Sequence, residues 1–140
     1  MSAIHATTIA IGTHGVMLIG PSGAGKSDLA LRLIDRGAML VSDDYSDVTV
    51  LDDTVLVTPP PTIAGKIEIR GVGIVAMSFT PSITVRMVVQ LGNEVERLPS
   101  PRWHTIAGQR VRALVIDPRP ASAAIKVERA LAQILAECAA

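Results

Sequence analysis

The sequence predicts one α/β domain with a mixed sheet and few helices, built around a phosphate-binding loop. Three observations predict it. Gly20–Ser27 reads G-x-x-x-x-G-K-S between a short apolar run and an amphipathic segment; β-branched runs fill the middle of the chain; and only two stretches show helical spacing.

The elements follow in order. Ile4–Ile11 is β-branched and reads as a strand ending at Gly12, and Val16–Ile19 is a short apolar run suited to a buried strand. Ser27–Arg36 places Leu29, Ala30, Leu33 and Ile34 on one helical face, with Gly37 as its stop. Met39–Val41 is the next strand and runs directly into Ser42-Asp43-Asp44. Val48–Leu51 and Thr54–Thr58 flank a turn at Asp52-Asp53, and Pro59-Pro60-Pro61 ends that pairing. Ile67–Ile69 and Val72–Met77 lie on either side of an Arg-Gly bend, and Ile83–Leu91 is the longest strand expected. Gly92–Gly108 reads as a polar connection containing His104 and Trp103, and His14 likewise reads as a loop residue. Val111–Ile116 is the last strand, and Ser122–Ala139 the last helix, with Cys138 near its end as a packing or surface residue. No repeat and no boundary divides residues 1–140, so a single domain is expected.

Composition narrows the class. Apolar residues make up 49% and charged residues 19% of the 140, a globular balance with an aliphatic core, since Phe79, Trp103 and Tyr45 are the only aromatics. Net charge is zero without a run of Lys or Arg, which argues against nucleic acid as the main partner. No apolar stretch approaches the roughly 20 residues that cross a bilayer, and the N-terminus lacks the features of a signal peptide. One cysteine allows neither an intramolecular disulfide nor a zinc site of its own. Cytoplasmic placement is the expectation.

The chemistry begins at Gly20-Pro21-Ser22-Gly23-Ala24-Gly25-Lys26-Ser27. Glycines let successive N–H groups turn inward as an anion nest, and the following helix aims its positive end at the same point. Lys26 can reach the β- and γ-phosphates, and the Ser27 hydroxyl can ligate Mg²⁺, so the polyphosphate of a nucleotide and Mg²⁺ are the expected ligands. Asp43-Asp44 follows the next strand, where open α/β sheets place their ligands. Two adjacent carboxylates suit acceptor activation and metal support, although Asp also serves turns and caps. Ile67-Glu68-Ile69-Arg70-Gly71-Val72-Gly73-Ile74 alternates Glu68 and Arg70 with apolar neighbours, which puts both on one strand face. They read as an exposed ion pair or as a metal-supporting carboxylate beside a phosphate-facing guanidinium.

Three motifs in this order, with Ser27-Asp28-Leu29-Ala30-Leu31 and Arg36-Gly37 between them, resemble the catalytic domain of the bacterial HPr kinase/phosphorylase family. The resemblance runs from His5 to about Leu98. It implies a P-loop, PEP-carboxykinase-like fold and an ATP- and Mg²⁺-dependent kinase that phosphorylates a serine of HPr, a phosphocarrier of the phosphotransferase system. Many members also reverse the reaction. Carried over by motif, Lys26 binds phosphate, Ser27 and Glu68 support Mg²⁺, and Arg70 neutralises charge on the moving phosphoryl group. Asp44 accepts the serine proton, with Asp43 as the alternative. The resemblance also implies catalytic roles for His5, ahead of the loop, and for Arg97. It leaves room for a homo-oligomer, and it implies a short form starting at the catalytic domain. The late P-x-x-P-G-R-N-type segment tied to dephosphorylation is not found at Pro99–Arg112. The competing expectations are another P-loop small-molecule kinase or NTPase, and a non-catalytic ATP sensor.

Overall fold

A computed structural model of the chain describes residues 2–139. Among these, eleven strands and two helices form: β1 (Ser2–His5), β2 (Thr7–Ile11), β3 (His14–Ile19), α1 (Lys26–Asp35), β4 (Met39–Ser42), β5 (Tyr45–Leu51), β6 (Thr54–Thr58), β7 (Lys66–Ile69), β8 (Gly73–Ala76), β9 (Ile83–Leu91), β10 (Arg102–Ile106), β11 (Gln109–Ile116) and α2 (Ala123–Ala139). The mixed sheet with few helices is as expected. Strands β3, β9 and β11 run parallel, and their C-terminal ends share one edge; the remaining pairs are antiparallel.

The nine-stranded sheet runs β1-β5-β6-β9-β3-β2-β4, with β11 also on β9 and β10 on β11. β9 can serve three neighbours because β6 takes only its first two residues, Ile83 and Thr84, before the sheet curls. The curl buries both faces. One face, with Ile9, Leu18, Leu40, Met87 and Val89, packs under Leu29 and Leu33 of α1 and Val127 and Leu131 of α2. The other, with Met17, Val41, Val48, Val57 and Val88, closes on itself and on Ile106 and Val111. Strands buried on both sides need continuous apolar runs, which is why Val16–Leu18 and Met87–Val89 show no alternation. Leu33, fully buried in α1, should lose about 2–5 kcal/mol of stability on Leu33→Ala. Val72→Ala at the exposed β7–β8 tip should change it by no more than about 0.5 kcal/mol; urea unfolding of both variants measures the contrast.

Three expectations change. The single strand over Ile4–Ile11 divides at Ala6: β1 pairs with β5 and β2 with β3 and β4, while the Ala6 carbonyl accepts from Ser46 Oγ at 2.9 Å instead of continuing the ladder. Opposite this break, β4 gives way to β5 through Asp43-Asp44, so the acidic pair sits at a bend in the ribbon. The stretch read as a polar connection contains β10, which brings Trp103 and His104 into a strand. Its first four residues are exposed, so no buried alternation marks it; a hairpin turn with Ala107 at φ 49° and Gly108 at φ 82° sets its pairing with β11. His14 opens β3, paired with Ile11.

Candidate functional site

The Gly20–Ser27 loop leaves the C-terminal end of β3 and enters α1 with Gly25 as N-cap at φ 101°, a left-handed conformation that L side chains rarely adopt. No side chain caps α1, so its first N–H groups open on the cleft beside the loop. Lys26 is 6% exposed, and its Nζ donates to the carbonyls of Gly20 (2.7 Å) and Pro21 (3.0 Å). An ammonium has three donors, so the side chain stands over the loop with one N–H to spare. The β11–α2 connection braces α1 through its last turn: Arg32 donates to Pro118 O at 2.6 Å and to Pro120 O at 3.3 Å. In that connection the hydrogen bonds from the Arg119 side chain and backbone hold the Asp117 carboxyl down at about 2. The Asp117–Arg119 pair is therefore fully formed above the carboxyl's ordinary value of 3.8 and is lost as pH falls toward about 2.

The two aspartates face different ways. Asp43 is 6% exposed. Its Oδ1 accepts from Ser27 Oγ (2.6 Å) and Thr7 Oγ1 (3.1 Å), and its Oδ2 accepts from the Glu68 backbone N–H (3.0 Å). Asp43 thus ties the phosphate loop to β7. Asp44 turns outward: its side chain is 59% exposed and its Oδ1 lies 2.9 Å from His5 Nε2, with the His5 ring 5.2 Å from that of Tyr45.

A cleft of about 880 Å³ gathers Ser22, Gly23, Gly25, Lys26 and Ser27 of the loop with Asp44, Glu68 and Arg70. Of the expected residues outside the loop, Asp44, Glu68 and Arg70 line it, His5 borders it through Asp44, and Asp43 supports it from behind. Arg70 falls in the turn after β7 and not on the strand, so it reaches the cleft by that turn; no ion pair joins it to Glu68 among the described residues. Arg97 lies in the exposed 92–101 connection and is not among the cleft-lining residues. Thr7 is the site residue that sequence reasoning missed. A buried Thr in a β-branched strand carries no distinguishing signal, and only the fold shows its hydroxyl on Asp43.

The residues fit a nucleotide phosphate with Mg²⁺. Open helix N–H groups and the Lys26 ammonium face the cleft, and Ser27 gives its proton to Asp43, which leaves its oxygen lone pairs for a cation. Among the described residues no three His, Cys, Asp or Glu side chains are gathered for a metal. That suits Mg²⁺, which takes one or two protein ligands and completes its shell with water and phosphate.

Comparison with known proteins identifies the family and the fold. The model of the HPr serine kinase C-terminal domain matches residues 1–136. The chain belongs to that family. It is 37% identical to an HPr kinase/phosphorylase of Caldicellulosiruptor bescii over 130 residues, covering 83% of this chain and 42% of that protein. It is 33% identical to one of Lacticaseibacillus casei over 143 residues, covering 95% and 44%. The chain therefore spans less than half the length of these relatives. Among solved structures, the HPr(Ser) kinase/phosphatase from Coxiella burnetii superimposes with a TM-score of 0.87 over 100% of both chains at 24% identity, which shows the same fold. No helix among the described residues is long and apolar enough to cross a membrane.

Proposed function

We propose that residues 1–140 form one catalytic domain of an ATP- and Mg²⁺-dependent serine kinase, acting in the cytoplasm on an HPr-like phosphocarrier. The observation that carries the reading is the Ser27–Asp43 hydrogen bond of 2.6 Å. It locks the phosphate loop to an acidic pair whose second member lines the same cleft as Lys26, Glu68 and Arg70. A donor and an acceptor half then share one space, which a simple nucleotide-binding module does not need.

In the forward direction Lys26 and the α1 N-terminus bind the phosphates. Ser27 and Glu68 would hold Mg²⁺, which would supply neutralisation of charge on the phosphate oxygens. Asp44 takes the proton of the acceptor serine as its oxygen bonds to the γ-phosphorus; the bond from that phosphorus to the bridging oxygen breaks, and ADP leaves. Arg70 and Lys26 offset the charge on the moving group. In reverse, an oxygen of inorganic phosphate bonds to the phosphoryl phosphorus as its bond to the serine oxygen breaks; Asp44 returns the proton to that serine oxygen, and pyrophosphate leaves. The relatives named kinase/phosphorylase lend support to both directions.

The test is incubation with labelled ATP, Mg²⁺ and the HPr-like protein of the same organism, followed by excess phosphate. Label on a serine of that protein is the expected result, and its release as pyrophosphate would add the reverse reaction. Label on small metabolites alone would reassign the chain to a small-molecule kinase.

A further inference from the structure

Thr7 opens β2, is fully buried, and touches both aspartates with one oxygen. Its hydroxyl donates to Asp43 Oδ1 and accepts the backbone N–H of Asp44, each at 3.1 Å. Asp44 is held at φ 69°, and the Tyr45 N–H returns to Asp43 O at 2.7 Å, closing a three-residue γ-turn. With a positive φ at its centre such a turn is rare and strained, and it persists only where surrounding groups restrain it. Around it Ser42 Oγ donates to Tyr45 O, and Thr7 supplies the hydrogen bond to Asp44 itself.

Neighbouring carboxylates repel when they share a direction. Here they diverge: Asp43 points inward to Ser27 and the Glu68 N–H, and Asp44 outward to His5 and the cleft. We propose that Thr7 is a positioning residue that enforces this division. Its O–H fixes Asp43 on the Ser27 hydroxyl, and its lone pair holds the backbone that aims Asp44 at the acceptor. The inference rests on the kinase reading of the cleft. A methyl group cannot substitute, because Thr7→Val leaves the Asp44 N–H without its acceptor and Asp43 Oδ1 with one donor fewer.

The experiment compares wild type, Thr7→Val and Thr7→Ser in two assays: Mg²⁺ titration of the binding of a non-hydrolysable ATP analogue, and phosphoryl transfer to the HPr-like protein. By analogy with residues that orient metal ligands, Thr7→Val should lower kcat roughly 10- to 100-fold and raise the Mg²⁺ needed for half-maximal binding about 10-fold. KM for the acceptor should stay within about threefold, since Thr7 does not touch the acceptor surface, and Thr7→Ser should recover both losses. A wild-type Mg²⁺ dependence in Thr7→Val, or equal impairment of the Val and Ser variants, would overturn the assignment. If Thr7→Val does not fold, amide exchange in wild type decides: a protected Asp44 N–H supports the clamp and a rapidly exchanging one removes it. A wild type that binds the analogue but labels no acceptor sinks the kinase reading alone, because the Mg²⁺ titration still tests Thr7.

Discussion

Lys26→Ala should abolish ATP-dependent phosphoryl transfer, with a loss of roughly 10²- to 10³-fold or more, the scale set by removing one preorganised donor from a developing charge. Lys26 is the only cationic side chain of the loop, and its buried stem holds the ammonium over the carbonyls of Gly20 and Pro21. Those carbonyls belong to a partly or fully exposed loop that water can reach, so the variant should still fold. Thermal unfolding should therefore shift little while nucleotide binding and transfer both fall. Transfer at the wild-type rate would remove the phosphate-loop assignment. A matching collapse of the melting transition would make Lys26 a structural staple. Lys26→Met, which keeps the stem and deletes the charge, separates the two: it should fold as well as wild type and transfer as poorly as the alanine variant.

The part of this site legible in the sequence is the part encoded locally. Eight contiguous residues define the loop, and the helix after it carries its own apolar stripe, so Gly20–Ser27 and α1 stand where the sequence places them. Glu68 and Arg70 were legible as a pair of interest because of the glycines around them, yet Arg70 reaches the cleft by a turn and not by strand alternation. What the sequence does not show depends on pairing between distant segments. The break at Ala6 and the register shift between Thr8 and Ile9 in the β2–β4 pair lie opposite the bend at which Asp43 turns in and Asp44 turns out. No local spacing distinguishes two adjacent aspartates in that way. β10 was illegible for a related reason: an edge strand with exposed side chains has no hydrophobic period, and its Ala107-Gly108 turn lacks the Asn-Gly or Asp-Gly that marks such hairpins.

Asp44→Asn should remove transfer while leaving nucleotide binding within about threefold of wild type, a loss of roughly 10²- to 10⁴-fold in kcat if Asp44 is the base. Asparagine suits the position for two reasons. It tolerates the left-handed backbone at φ 69°, so the turn survives, and its amide oxygen can still meet His5 Nε2 where Asp44 Oδ1 now lies at 2.9 Å. What it lacks is a carboxylate able to take the serine proton. Asp43→Asn should behave differently. Both Asp43 oxygens accept hydrogen bonds, from Ser27, Thr7 and the Glu68 N–H, so an amide NH₂ in place of either oxygen sets donor against donor in a buried site. That variant should lose Mg²⁺-dependent nucleotide binding and transfer together, with a lower melting temperature. The contrast is the test: binding retained in Asp44→Asn and lost in Asp43→Asn supports the division of labour. The opposite pattern would make Asp43 the base and Asp44 the metal-side residue, and equal loss of binding in both would reduce the pair to a folding element.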